Sequence, residues 1–381
     1  MCELSEVKYV NELNVKSFIH MLDDTTECYK FYWLDALLKL FSRGRTEILF
    51  DDLIDQMIVD AWYSVVEYHL HLGPKNSDGK IMNSLERAVI KLQKMAKLPN
   101  DASENSIIDA LHGYSKEINA EKKQLTLHVP YRLLSSFMPE VCGNDKLWDQ
   151  RKRLIAYIDK LTESECLPYK IIDGVALKKK IVINRNWEKF FEDNYVTISG
   201  WIEMKKVLYL QGRNPGVPGI VYKLAPEKDK QRKLKYVRKL WNTILDVTPV
   251  YDIYTNKEIV QNTFDVDHFV PWSFVANDEL WNLLPMDSSL NSSKSNRLPK
   301  WEKYFRLFAE NQYIMYQNVQ RYEKIMEAFK QCQRDNLVMP WSLEELYIPN
   351  NDRHVFVSVL EKNLKNVYDS AIMQGYEVWK V

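Results

Sequence analysis

The chain lacks several features that would narrow its class. No apolar run in its 381 residues reaches the ~18 residues of a membrane-spanning helix. The opening Met1-Cys2-Glu3-Leu4-Ser5-Glu6 is acidic and lacks the basic-then-apolar order of a secretory leader. These two absences give the expectation of a cytoplasmic protein with no membrane contact. The five cysteines, Cys2, Cys28, Cys142, Cys166 and Cys332, are scattered and form no C-x-x-C pair. That argues against a disulfide framework and against a four-cysteine zinc site. Net charge is also missing, with 52 Lys/Arg against 52 Asp/Glu. There is no internal repeat and no low-complexity segment.

What is present is a hydrophobic fraction of 46% with 12% aromatics. Such a chain buries too much apolar surface to remain disordered, and its length allows two or three cores. Charge is distributed unevenly. Residues 1–120 carry 13 Lys/Arg against 19 Asp/Glu, residues 121–300 carry 29 against 22, and residues 301–381 carry 10 against 11. Within the middle part, residues 170–240 hold 17 against 7. Such a concentration is a footprint for a polyanion.

Periodicity predicts a mainly α chain. Asp24-Thr25-Thr26-Glu27 has the form of a helix start, Asp24 capping and Glu27 reaching back. A helix over 27–41 is apolar nearly all round and belongs in a core. Further helices are expected over 51–71, 83–97, 104–114 and 145–161, with a turn at Asn76-Ser77-Asp78-Gly79. Residues 124–130 alternate loosely and suggest a short strand. Residues 171–183 suggest a strand pair broken at Asp173-Gly174, before a long helix over 186–211. Three glycines and two prolines in residues 212–219 mark a hinge or domain junction. A basic helix over 227–245 sets Leu234, Val237, Leu240, Trp241 and Ile244 on one stripe. Lys230, Arg232, Lys233, Lys235, Arg238 and Lys239 on the rest are candidate phosphate contacts, against the plain alternative of a solvated charged face. Long helices are expected over 301–334 and 352–373.

The chemistry concentrates in Asp265-Val266-Asp267-His268-Phe269-Val270-Pro271-Trp272-Ser273, followed by Asn282 and Asn291. A strand at 250–254, a turn at 255–257 and a second strand at 258–266 lead into it. A connecting segment at 281–286 and a short polar helix at 288–297 follow. Hydrolysis of a phosphodiester needs an activated water and charge stabilisation at the phosphate. Asp267 and the amide oxygen of Asn291 are the oxygen ligands that a hard cation such as Mg²⁺ or Mn²⁺ prefers. His268 is a base that works near neutral pH. Adjacent strand residues point apart, so a bend is expected at the strand end to bring both groups to one site.

The pattern resembles the HNH, or ββα-metal, nuclease family, and most of all the HNH domain of RNA-guided type II CRISPR nucleases. Asn282 lies 14 residues and Asn291 lies 23 residues beyond His268, and Lys294 trails them. The resemblance covers about residues 246–300. It implies His268 as general base and Asp267 and Asn291 as metal ligands. It also implies Asn282 holding the histidine-bearing loop, Lys294 near the phosphate and Asp265 orienting the site. Many relatives clamp zinc with paired cysteines; here Tyr251-Asp252-Ile253-Tyr254 stands where the first pair belongs, so no structural zinc is expected. No RNase-H-like partner nuclease flanks the motif, so no guide RNA is assumed.

The leading reading is thus a mainly α protein with a small α+β nuclease unit. Its expected parts are a helical N-terminal domain over 1–165, a basic region over 166–245, the HNH unit over 246–300 and a helical region over 301–381. The expected function is metal-dependent cleavage of DNA, with a prokaryotic defence or restriction role as an analogy from the layout. The helical flanks suggest a protein partner or self-association. One alternative is an RNA-cleaving toxin or effector; another is a non-catalytic nucleic-acid-binding or assembly protein. His69 and His71, and the isolated His20, His112, His128 and His354, are read as ordinary structural or surface histidines.

Overall fold

The computed structural model describes residues 13–23, 25–74, 81–138, 150–163, 167–172, 174–224 and 232–380. Asp24, the 76–79 turn, Cys2, Cys142, Cys166 and Lys230 lie outside these. The chain divides into two units, residues 1–215 with 223–226, and residues 216–222 with 227–381. The fold is mainly α with two small antiparallel sheets. Among the described residues no helix is long and apolar enough to cross a membrane.

The first unit is helical around α2 (Tyr29–Ser42), whose Phe31, Tyr32, Trp33, Leu34, Leu37 and Leu38 are all buried. It follows α1 (Val15–Ile19). The helix starts after Cys28, which makes no side-chain cap, and the Glu27 carboxylate accepts from Asn83 Nδ2 at 2.6 Å. After β1 (Glu47–Leu49) comes α3 (Phe50–Val66), which ends five residues earlier than expected. His69 then takes a left-handed φ of 53°, which takes the chain out of helical geometry. α4 (Ser84–Ala96) and α5 (Glu104–Gly113) start at side-chain caps from Asn83 and Ser103, as their composition predicts.

The strand expected over 124–130 is absent. The end of α6 (Asn119–Leu125) and the start of α7 (Val129–Arg132) occupy that stretch. A tertiary ion pair overrides the weak alternation: Lys122 on α6 is buried between Asp51 and Asp55 of α3. Pro130 falls in the first turn of α7, where its missing N–H costs nothing. α8 (Arg151–Glu163) follows. The expected strand pair forms as β2 (Tyr169–Ile172) and β3 (Lys180–Ile183), and β1 joins to give the order β1-β3-β2. α9 (Arg185–Arg213) places Trp187, Phe190 and Phe191 around Phe18 of α1. Its buried Lys206 pairs with Asp35 of α2 at 2.7 Å.

The second unit surrounds a two-stranded hairpin. α10 (Lys235–Leu245) starts later than the helix expected over 227–245, with residues 232–234 outside it. It buries Val237, Leu240, Trp241 and Ile244 of the predicted stripe, while Leu234 stands at its N-terminal cap position and is half-buried. The strands expected over 250–254 and 258–266 do not form a ladder; one bridge joins Tyr251 and Glu258. Between them Asp252 Oδ1 accepts from the backbone N–H of Tyr254 and Thr255. That side chain competes with strand pairing and makes a turn. The ladder is instead β4 (Phe264–His268) against β5 (Leu283–Asp287), which takes up the expected connecting segment. α11 (Trp272–Val275) lies in the connection and α12 (Ser288–Lys294) follows β5. The single helix expected over 301–334 is two, α13 (Trp301–Arg321) and α14 (Glu323–Asn336), because Tyr322 is extended. α15 (Arg353–Met373) is capped by Asp352. Leu298 pairs with the chain end, accepting from Trp379 N at 2.7 Å and donating to Glu377 O at 2.9 Å.

Candidate active site

β4, β5 and α12 form a ββα unit that carries Asp265, Asp267, His268, Asn291 and Lys294, with Asn282 immediately before β5. The ladder runs regularly from Phe264↔Asp287 to His268↔Leu283. Alternation along β4 sends Asp265 and Asp267 to one face and His268 to the other. The bend expected at the Asp-His pair comes only after His268. There the chain is held by Asn282, which is fully buried. Its Oδ1 accepts from Val270 N at 2.8 Å and its Nδ2 donates to Val270 O at 2.9 Å. Phe269 N also donates to Asn282 O at 2.8 Å. Both faces of one backbone unit are thereby satisfied by a single amide, which locks the loop after the strand.

α12 begins at Asp287, whose carboxylate accepts from Ser289 N and Leu290 N. That cap sets the helix phase, and Asn291 and Lys294, three apart, share a face. Lys294 is fully buried. Its ammonium lies 3.0 Å from Asp267 Oδ2 and donates to the His268 carbonyl at 2.7 Å. The Asp267 contact has ion-pair distance but not hydrogen-bond geometry, and Oδ2 is a buried acceptor with no hydrogen-bond partner. Asn291 Nδ2 donates to Asp265 Oδ2 at 3.4 Å, and Asp265 Oδ1 lies 3.5 Å from Arg238. The geometry therefore couples Asp267 to Lys294, and Asn291 to Asp265 and Arg238.

The imidazole of His268 is buried in a different setting. Its Nε2 meets the Asn277 carbonyl at 3.1 Å and Asp278 Oδ1 at 3.0 Å. The first is a hydrogen bond; the second is an electrostatic approach outside hydrogen-bond geometry. Burial lowers the His268 pKa, and the charge of Arg232 adds to this against the raising effect of Asp278. For Asp278 burial works upward, but the contact with His268 outweighs it and the carboxyl stays below its usual value. Burial thus disfavours the charged imidazole, while the contact with the histidine favours the charged carboxylate. Asp278 carried no signal in the sequence: it is one acid in a polar loop, with no spacing that marks it.

The basic candidates are engaged within the protein. Lys233 Nζ donates to Asp335 at 2.7 Å and Lys239 Nζ to Gln331 at 3.1 Å. Arg232 lies over the Trp272 ring at 5.0 Å and Lys235 lies 5.9 Å from the Tyr236 ring. Arg238 donates to the Phe264 carbonyl. Arg232, Lys233, Lys235 and Lys239 nonetheless remain exposed.

Among the described residues no group of three or more His, Cys, Asp or Glu is arranged to hold a metal. The donor chemistry that is present, a buried carboxylate oxygen with no hydrogen bond and an amide side chain on the next helix, suits a hard cation. Such a cation draws most of its shell from water and phosphate. No curated protein and no solved structure matches the chain. Residues 252–300 match the HNH endonuclease family model, which spans the turn at Asp252, the hairpin and α12. The likeness to RNA-guided enzymes rests on residue spacing alone, whereas the ββα unit at 252–300 is an HNH endonuclease domain.

Proposed function

We propose that the protein is a metal-dependent endonuclease that hydrolyses phosphodiester bonds in DNA through this unit. The observation that supports it is the buried, hydrogen-bond-free Oδ2 of Asp267 beside Lys294, inside the segment that matches HNH endonucleases. Asp267 and Asn291 are the proposed ligands of a divalent cation, Mg²⁺ or Mn²⁺. Asn291 engages Asp265 through Nδ2, which leaves its amide oxygen as the group to offer. A bound cation supplies charge stabilisation at the phosphate and at the leaving oxygen. His268 takes the proton from the attacking water. Lys294 serves the site by holding the strand end through the His268 carbonyl and by facing Asp267. Asn282 fixes the loop, and Asp265 orients Asn291.

The exposed Arg232, Lys233, Lys235 and Lys239, with Arg238 and Lys230, are the proposed contacts to the nucleic-acid backbone. Because several of them are already paired, their contribution to affinity is small and salt-sensitive. Engagement of DNA then depends on a partner or trigger, and the helical regions outside 252–300 are the proposed place for it. A role in defence against foreign DNA is consistent with this layout.

The test is supercoiled plasmid incubated with the purified protein and Mg²⁺ or Mn²⁺, beside EDTA and His268→Ala controls. Nicked or linear product that is lost in both controls supports the proposal. Cleavage of RNA with sparing of plasmid redirects it to the RNA-cleaving alternative. Cleavage that survives His268→Ala overturns the site.

A further inference from the structure

We propose that Asp278 is a positioning residue for His268, fixing which ring nitrogen acts as base; this rests on the nuclease reading above. Nε2 of His268 faces two acceptors, the Asn277 carbonyl and the Asp278 carboxylate. A ring nitrogen between two acceptors must carry the hydrogen, so Nδ1 is left with the lone pair that accepts a proton from water. The carbonyl alone would hold the ring by one hydrogen bond. The carboxylate adds a charge that favours this ring orientation over the flipped one.

Asp278 is itself built in. Its side chain is nine-tenths buried, at 9% exposure. Its second oxygen accepts from Lys233 N at 2.8 Å. Asn336, fully buried at the end of α14, donates to the Asp278 carbonyl at 2.7 Å and to the Lys233 carbonyl at 3.1 Å. The next residue, Glu279, accepts from Val338 N at 3.0 Å. Segments before α10 and after α14 therefore grip the loop that faces the histidine. The backbone at Lys233 does this work whatever its ammonium contacts, so the segment read as a phosphate contact also supports the base. Such indirect support of a reacting imidazole is how residues without substrate contact set catalytic geometry.

The experiment uses the full chain with Asp278→Asn and Asp278→Ala, alone and combined with His268→Ala. The first readout is modification of His268 by diethylpyrocarbonate, followed by peptide mass spectrometry against the exposed His354 in the same sample. Wild type is expected to protect His268 at least tenfold relative to His354. Asp278→Ala is expected to raise the His268 rate tenfold, while Asp278→Asn, which fills the same space, keeps it protected. The second readout is steady-state plasmid cleavage. Asp278→Ala is expected to lower kcat at least thirtyfold with KM within threefold, and Asp278→Asn to lower it about tenfold. Added to His268→Ala, neither substitution lowers cleavage further, because the effect runs through the ring. An unchanged modification rate in Asp278→Ala, or a further loss in the His268→Ala background, overturns the proposal. Failure of the nuclease reading looks different: His268→Ala then cleaves like wild type, or nothing is cleaved, and the modification rates still decide whether Asp278 holds the ring.

Discussion

Lys294 Nζ sits 3.0 Å from Asp267 Oδ2 and donates 2.7 Å to the carbonyl of His268, so one buried ammonium serves two consecutive residues of β4. It neutralises the carboxylate and satisfies the backbone oxygen at the strand end. Removing it with Lys294→Met leaves a buried carboxylate without a counter-charge, which costs about 3–5 kcal/mol in comparable cases. A divalent cation that binds Asp267 returns part of that loss, because a ligand of the folded state stabilises it by mass action. The melting temperature of Lys294→Met is therefore expected to fall well below wild type and to rise more than wild type on adding Mn²⁺. Equal Mn²⁺ responses in the two proteins count against Asp267 as a cation ligand.

Asn282 makes a second, purely structural prediction. Its amide pairs with both the N–H and the carbonyl of Val270 in a fully buried setting. Asn282→Ala leaves both backbone groups without partners, at about 1–3 kcal/mol for each unsatisfied group. Asn282→Asp keeps the acceptor and loses the donor, so it should fall between wild type and Ala. Urea denaturation curves give this order directly. An Ala variant as stable as wild type means the loop is held by something else.

The long helices were legible because their apolar spacing and caps agree with their surroundings: α9 starts and ends within two residues of expectation, and Asp352 caps α15 as its residue type suggests. Asn282 is marked in the sequence only by the resemblance of its interval from His268 to the HNH pattern; its two bonds to Val270 are seen in the structure alone. β5 was not legible, because Leu283-Leu284-Pro285-Met286 contains a proline and reads as loop; Pro285 is tolerated in a two-stranded ladder opposite Val266, where one side of each strand is an edge. The stretch 250–266 misled for the opposite reason. Val250, Ile253, Ile259 and Val260 favour strands, but Asp252 captures the backbone donors first. Asp278 could not be found from sequence at all. Its role depends on residues 10 and 45 positions away meeting in space, and charge counting likewise cannot see that Asp335 and Gln331 on α14 answer Lys233 and Lys239.

The thiols of Cys28 and Cys332 are predicted to be inert in the folded protein. Both are buried, and burial raises the Cys28 thiol well above its ordinary value and Cys332 to about 12. A thiol reacts through its thiolate, which neither site populates near neutral pH. Peptide-resolved iodoacetamide labelling at pH 8 should leave both unmodified for hours and label both in denaturant. Rapid labelling of either under native conditions would show that its surroundings open.

Asp55 links the first unit to pH. It shares Lys122 with Asp51, and burial pushes its carboxyl up from 3.8 to about 6 despite the lysine. With the folded value above the unfolded one, its contribution to stability is fully present below about pH 4 and is lost as pH rises through about 6. A shift of this size corresponds to about 3 kcal/mol as an upper bound. Asp55→Asn cannot ionise and lacks this dependence. Wild type should therefore compare more favourably with Asp55→Asn at pH 4.5 than at pH 7.5, measured by urea unfolding of both proteins in matched buffers. The opposite trend, with wild type gaining on Asp55→Asn as pH rises, would mean that Lys122 and not burial dominates at Asp55.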